Sequence, residues 1–399
     1  MHAGKNHNAF APEARYNGAR TLTLLGASAL TIMSGATIAP AMPGLVRSGL
    51  PGAESETVVR LVLTMPALAI ALCAPFAGVA ADRFGRTRLL LAGVCLYAVA
   101  GTAGLWAPSI AVLLVSRAFL GAAVATIMTC VTALVGDYFI GAARSHFLGI
   151  QSAFMGFGGV LFLLLGGYLA QLSWRAPFYV YLLSLIVLPG VFLFPMRRRD
   201  SHAADALPQV QISPPLARLA RVYAGAFMGM ALFYIVPVQM PFYVERVLHE
   251  RSGISGVVIA ASTLFASLTS LQYRRIQGNA AFGVVAACGF ALLSMGLITV
   301  TIVENLFAAI GGMAVLGAGM GLLMPNFAAW VLALTPEHTR GRAASGLTAS
   351  VFAGQFLSPL LFAPVHAAWN LNAVFWTGAA MALGCGALTA MWSRRTARI

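Results

Sequence analysis

The chain has 399 residues, of which 59% are hydrophobic and only 9% charged, and its 25 basic against 11 acidic residues give a net charge of +14. A soluble domain carries roughly a quarter of its residues as charges, so this chain lacks the polar surface that water requires. Composition therefore excludes a soluble enzyme, a disordered chain and a nucleic-acid binder, and points to an integral membrane protein. Cys73, Cys95, Cys130, Cys288 and Cys385 each lie in an apolar run without metal-ligand spacing. They read as packing residues, and no metal or cofactor is expected.

Lys5, Arg15 and Arg20 precede an apolar run over 21–43 that is too long for a signal-peptide core. It reads as the first membrane helix. At roughly 20 apolar residues per crossing, further spans fall at 58–80, 88–108, 110–134, 146–170 and 176–195, then at 219–243, 254–273, 280–302, 305–333, 343–366 and 371–392. The fold class expected is all-α: twelve transmembrane helices in two pseudo-symmetric six-helix bundles around a central cavity. The organisation is a tail over 1–20, a bundle over 21–195, a linker over 196–218, a second bundle over 219–392 and a tail over 393–399. The linker begins Met196-Arg197-Arg198-Arg199-Asp200 and carries Pro208, Pro214 and Pro215.

The charges test this count. With both termini on one side, nineteen of the 25 basic residues fall on that side, and Arg47, Arg60, Arg175, Arg246 and Arg251 on the other. Cytoplasmic loops retain Lys and Arg. The expected setting is thus a bacterial inner membrane with both termini cytoplasmic. Arg117 alone is placed well inside a span.

An internal repeat supports two halves. Asp137 and Arg144-Ser145-His146 precede span five, and Thr335-Pro336-Glu337 with Arg340-Gly341-Arg342 precede span eleven. Both spans are Gly-containing and end near a tryptophan with a later aromatic, Trp174 with Phe178 and Trp369 with Phe375. Repeated halves around a cavity are a common design of secondary transporters.

Between spans two and three the chain reads Gly78-Val79-Ala80-Ala81-Asp82-Arg83-Phe84-Gly85-Arg86-Thr87-Arg88. Gly78 and Asp82 share a helix face. Asp82 stands at a helix C-terminus, where the macrodipole disfavours an anion unless a cation or another helix's N-terminus compensates it. This loop resembles the signature loop of the major facilitator superfamily, and the first-half motifs are most similar to its drug:proton antiporter branch. The resemblance implies that Gly78, Asp82, Arg83, Gly85, Arg86, Arg88 and Asp137 form a conformational latch. The latch would engage the N-terminus of helix eleven, near Ala343, and hold the outward-facing state. The second-half counterpart, Gln272-Tyr273-Arg274-Arg275, lacks the acid and the Gly-Arg pair.

Arg117, in Ser116-Arg117-Ala118-Phe119-Leu120-Gly121, matches the family's helix-four arginine, which the resemblance associates with proton coupling or anion binding. A buried charge in a span costs at least a few kcal/mol, which favours a position facing the protein interior or a cavity over one snorkelling to the surface. Span five departs from the antiporter pattern. It has Gly158, Gly166 and Gly167, but Phe162 and Leu163 where Gly-Pro belongs. Gly354, Ser358 and Pro359 in span eleven repeat the first part of that spacing, and these residues read as helix-packing positions.

All eleven acids fall in loops or at span ends. A buried cationic substrate would need a counter-charge, so a neutral, zwitterionic or anionic substrate is expected. Thr31, Ser34, Gln151, Tyr234, Gln239, Asn326 and Gln355 are the polar cavity candidates. Phe154, Phe233 and Trp330 are candidate apolar walls. The function expected is a proton-coupled exporter of a drug, metabolite or siderophore, acting as a monomer with membrane lipids, a small-molecule substrate and protons as its partners. An uptake permease and a transporter-like sensing receptor stand as alternatives. Gly253-Ile254-Ser255-Gly256 resembles an intramembrane-protease motif only superficially, and no enzyme is expected.

Overall fold

The computed structural model describes residues 18–139, 141–193, 216–336 and 339–396. Lys5, Arg15, the linker residues Arg197, Arg198, Arg199, Asp200 and Asp205, Glu337 and Arg398 lie outside them. Twelve helical segments are long and apolar enough to cross a membrane, and no strand occurs among the described residues.

Span one consists of α1 (Gly18–Ala36), a 3-10 turn (Ala39–Ala41) and α2 (Met42–Val46). Span two is α3 (Glu56–Phe84), span three α4 (Arg86–Thr102), span four α5 (Ile110–Tyr138) and span five α6 (Gly141–Leu172). Span six starts as a 3-10 helix over Ala176–Ile186 and ends in α7 (Val187–Leu193). In the second half, span seven is α8 (Leu216–Phe233) with α9 (Ile235–Arg246), and span eight is α10 (Ser252–Gln277). Spans nine to twelve are α11 (Phe282–Ile302), α12 (Leu306–Leu334), α13 (Arg340–Ala368) and α14 (Leu371–Thr396).

Local chemistry sets the boundaries. Ser55, Ser109 and Asn305 cap α3, α5 and α12 by accepting the backbone N–H three residues on. Gly85 stands at φ 89°, a left-handed conformation that lets α3 turn directly into α4. Spans one and seven are not the continuous helices that hydropathy implies. Each α-helix stops four residues before a proline, at Ala36 before Pro40 and at Phe233 before Pro237. A proline ring clashes with the carbonyl four residues back and supplies no N–H to it. The two breaks meet: the Tyr234 hydroxyl lies 3.2 Å from where a Cβ on Gly35 would stand.

Within the first half α3 and α4 pack on α5, and α1 on α6. Within the second, α12 packs on α10 and α11, α11 on α14, and α8 on α13. The halves meet chiefly through α6 with α10 and α3 with α13. Arginines 83, 86, 144, 221, 274, 275, 340 and 342 mark one end of the molecule, the basic end. Arg47, Glu56, Glu245 and Arg246 mark the opposite end.

Candidate functional site: a central cavity and its two ends

Between the halves lies a cavity of about 640 Å³. Spans one, two, four, five, seven, eight, ten and eleven contribute to it, and none of its lining residues is charged. Five methionines, Met128, Met155, Met230, Met320 and Met324, form much of the wall with Phe157, Phe233 and Phe352. Methionine is unbranched and polarizable, so such a wall adapts to varied apolar shapes. The polar groups are hydroxyls and one amide: Thr31, Ser34, Ser152, Thr263, Ser267, Ser270, Tyr234 and Gln355. The Gln355 amide donates to the Tyr234 hydroxyl, joining α13 to the break in span seven.

Of the expected polar lining, Thr31, Ser34, Tyr234 and Gln355 are at the cavity, as is Phe233. The other five candidates are elsewhere. Gln151 donates to the Ser28 hydroxyl at 2.7 Å, tying α6 to α1. Phe154 is exposed and does not line the cavity, and Phe157 takes its place in the wall. Asn326 is fully buried, accepting from the Tyr273 hydroxyl at 3.0 Å and donating to the Phe282 carbonyl at 2.9 Å. Trp330 stacks on Phe282. Gln239 is buried with neither amide atom hydrogen-bonded. Helical period explains these differences. A polar residue in a span faces a neighbouring helix as readily as the cavity, and hydropathy alone does not fix the phase. Thr263, Ser267 and Ser270 do carry a legible signal, a hydroxyl stripe at i, i+4 and i+7 on α10.

The two ends of the cavity differ. At the opposite end the halves are in close contact. A Cβ on Gly167 of α6 would strike the Gly253 carbonyl of α10, and within the first half one on Gly166 would strike the Thr37 carbonyl. Ion pairs join Arg47 to Glu245 and Glu56 to Arg246 across the halves. At the basic end the cavity-facing stretches of α6, α10 and α13 are largely exposed, so the cavity opens there. Of the other packing residues, Gly354 abuts the Phe227 carbonyl and Ser358 donates to the Ala231 carbonyl at 2.7 Å, binding α13 to α8 beside Pro359. Gly158 has only Phe162 near it.

The expected latch residues sit at the open end. Arg86 pairs with Asp137 and donates to the Ala133 carbonyl at 3.1 Å, anchoring the α3–α4 turn to the last turn of α5. This cation compensates Asp137 at a helix C-terminus. Asp82 is 67% exposed and stands 3.9 Å from Arg86. Arg83 stacks on Phe84. Gly78 has no neighbour within 4 Å of a would-be Cβ, so the expected close approach to helix eleven is not made in this conformation.

Arg117 is completely buried but does not line the cavity. It donates to the Ala100 and Gly101 carbonyls at 2.7 and 2.8 Å and stacks on Phe178 and Tyr181. Tyr181 in turn donates to the Ser34 carbonyl at 2.8 Å, and Tyr97 to the Leu30 carbonyl at 2.7 Å. Arg117 therefore braces spans three and six behind α1, one residue removed from the cavity wall. It is also not the only arginine buried in a span. Arg60, assigned by sequence to the polar exterior, is 1% exposed.

A twelve-span helical chain with an uncharged central cavity, open at one end and shut at the other, has the architecture of a small-solute transporter. The chain belongs to the Major Facilitator Superfamily, whose family model matches residues 24–300. It is 28% identical to the tetracycline resistance protein, class C, of Escherichia coli, over 94% of this chain and 98% of that one. It is 24% identical to the class E protein of Escherichia coli, over 88% and 87%. Among solved structures it superposes, with a TM-score of 0.76 and 16% identity over 96% and 97% of the chains, on a bacterial homolog of the human lysosomal transporter Spinster in an inward-facing and occupied conformation. The protein is thus a multi-pass membrane transporter rather than an enzyme.

Proposed function

We propose that the protein exports a neutral, weakly polar, drug-sized compound from the cytoplasm across the bacterial inner membrane, coupled to protons. The observation that carries this reading is the cavity itself: about 640 Å³, Met-rich, with hydroxyls and one amide as its polar groups and no charge in its lining. Drug-sized ligands occupy mostly apolar pockets with a few polar groups, and a cationic or anionic substrate would lack a partner here. The position of Arg117 outside the cavity removes the support for an anionic substrate. Similarity to tetracycline resistance proteins over nearly the whole chain favours export over uptake. The nineteen-to-five asymmetry of basic residues puts the basic end, both termini and the linker on the cytoplasmic side. The open cavity then faces the cytoplasm.

The two halves act as two bundles that rock about the cavity, and one chain suffices because one chain encloses it. Coupling to protons is supported by the resemblance of the Asp82–Arg86 turn and of Arg117 to the antiporter branch. Arg117 contributes as a positioning residue through Tyr181 and α1.

The test is transport in proteoliposomes with an imposed pH gradient, using neutral, cationic and anionic fluorescent compounds of similar size. The neutral compound is moved against its gradient, and Gln355→Ala weakens its apparent affinity about tenfold by removing a hydrogen-bonding group. Preferential transport of the cation, or transport that survives collapse of the pH gradient, overturns the corresponding part of the reading.

A further inference from the structure

The shut end carries a charge arrangement that the family motif does not account for. The first half presents Arg47, at the end of α2, and Glu56, at the start of α3. The second presents Glu245 and Arg246 in the last turn of α9. The order is base then acid on one side, acid then base on the other, and two ion pairs form across the halves, Arg47–Glu245 and Glu56–Arg246. Glu56 also takes the buried Arg60 at 2.9 Å. The guanidiniums of Arg60 and Arg246 both stack on Phe242, at 4.9 and 5.2 Å from its ring centre.

Beneath this cluster lie polar groups that the shut conformation leaves unsatisfied. The Nε of Arg60, the hydroxyl of Thr64 and both amide atoms of Gln239 are buried without a hydrogen-bond partner. Thr64 stands one turn along α3 on the face of Arg60, and Gln239 one turn along α9 from Phe242. Buried polar groups are nearly always paired, and leaving one unpaired costs free energy. A transporter has a second conformation in which this interface separates. There the same groups meet water or solute, and their polarity has a purpose.

We propose that Arg47, Glu56, Arg60, Glu245 and Arg246 form the gate that closes the outward path, and that Thr64 and Gln239 become a polar wall of the release-side cavity when the gate opens. The crossed pairs hold the gate shut, and the unsatisfied groups behind it keep the shut state from becoming too stable to open. This inference rests on the orientation proposed above.

The test uses the full chain in right-side-out and inside-out vesicles, with its five natural cysteines replaced by serine and Thr64→Cys as reporter, labelled by a membrane-impermeant maleimide. Arg47→Glu and Glu245→Arg each place like charges across the gate and speed labelling about fivefold. The double variant Arg47→Glu/Glu245→Arg restores the pair and returns the rate to within about twofold of the parent. Arg47→Lys holds the parent's rate. Gln239→Leu slows labelling at least about twofold, because the shut state no longer buries an unpaired amide. Single reversals without effect, or a double variant faster than either single, overturn the gate. A Gln239→Leu rate equal to or above the parent's overturns the polar wall. The vesicle side from which Thr64→Cys reacts reports orientation, and the dependence on the charge pair reports the gate, so the two fail separately.

Discussion

Arg60 and Arg117 are both buried inside membrane-spanning helices, both near the shut end, and both stacked on aromatic rings. Their partners separate them. Arg117 is held entirely by the first half, through the carbonyls of Ala100 and Gly101 and the rings of Phe178 and Tyr181. Arg60 lies where the halves meet, on Phe242 of α9 and on a carboxylate that also serves Arg246. A buried charge whose partners move with it is a brace. A buried charge whose partners belong to the other half is part of a switch. In hydrocarbon an unpaired charge is expensive in either place, so burial alone does not tell the two roles apart.

The largest effect that distinguishes them is on folding. Arg117→Ala leaves two carbonyls without their charged donor and opens a void beneath two aromatic rings, which costs about 3 kcal/mol or more. Thermal unfolding of purified protein in detergent shows this as a large fall in Tm. Arg117→Lys recovers only part of it, because an ammonium cannot lie flat on both rings. A wild-type Tm for Arg117→Ala would end the description of it as a brace. Next in size is a pair of glycines. A Cβ on Gly121 would strike the Pro66 carbonyl within the first half, and one on Gly167 the Gly253 carbonyl across the halves at the shut end. Overpacking of this kind costs about 1–3 kcal/mol. Gly121→Ala is expected to lower Tm, whereas Gly167→Ala weakens the shut end and raises labelling of Thr64→Cys from outside. Equal effects of both on Tm, with no change in labelling, would erase the distinction between halves and interface.

The division into twelve spans was legible because membrane thickness imposes a length on apolar runs, and every expected span lies within a few residues of a helix. The turn between α3 and α4 was legible because Asp82, Gly85 and Arg86 stand at fixed offsets around it. The cavity was legible only in part. Ser34 and Gln355 face it, while Gln151 and Asn326 serve neighbouring helices, and composition treats these four residues alike. The breaks at Ala36 and Phe233 had a local signal, Pro40 and Pro237 at matching places in the two halves. Arg60 carried none. Its burial follows from Phe242 and Arg246, almost two hundred residues away in sequence, coming to lie beside it.

Smaller effects test the switch. Arg60→Ala leaves Glu56 its pair with Arg246, so no buried charge is left unpaired and Tm should fall by less than at Arg117. The gate loses one of its two guanidinium contacts with Phe242, and labelling of Thr64→Cys rises about two- to threefold. A fall in Tm matching that of Arg117→Ala would make Arg60 a second brace.

Gly78→Ala has the smallest expected effect on stability and the most specific meaning. Nothing lies within 4 Å of the added methyl in the conformation described, and alanine is favoured over glycine in a helix by about 1 kcal/mol. The purified protein should be as stable as the parent or slightly more so. Transport should nevertheless fall several-fold. In the alternate conformation the basic end closes, and the methyl would then stand between α3 and the N-terminal part of α13. The same substitution would thus be harmless to one state and costly to the other, and labelling of Ser267→Cys from the cytoplasmic side should increase as the open-inward state gains population. If transport and labelling both match the parent, α3 and α13 do not approach at Gly78 in any state of the cycle. The closing contact at this end would then have to come from the charged turn alone, through Asp82, which is exposed and available in the conformation described.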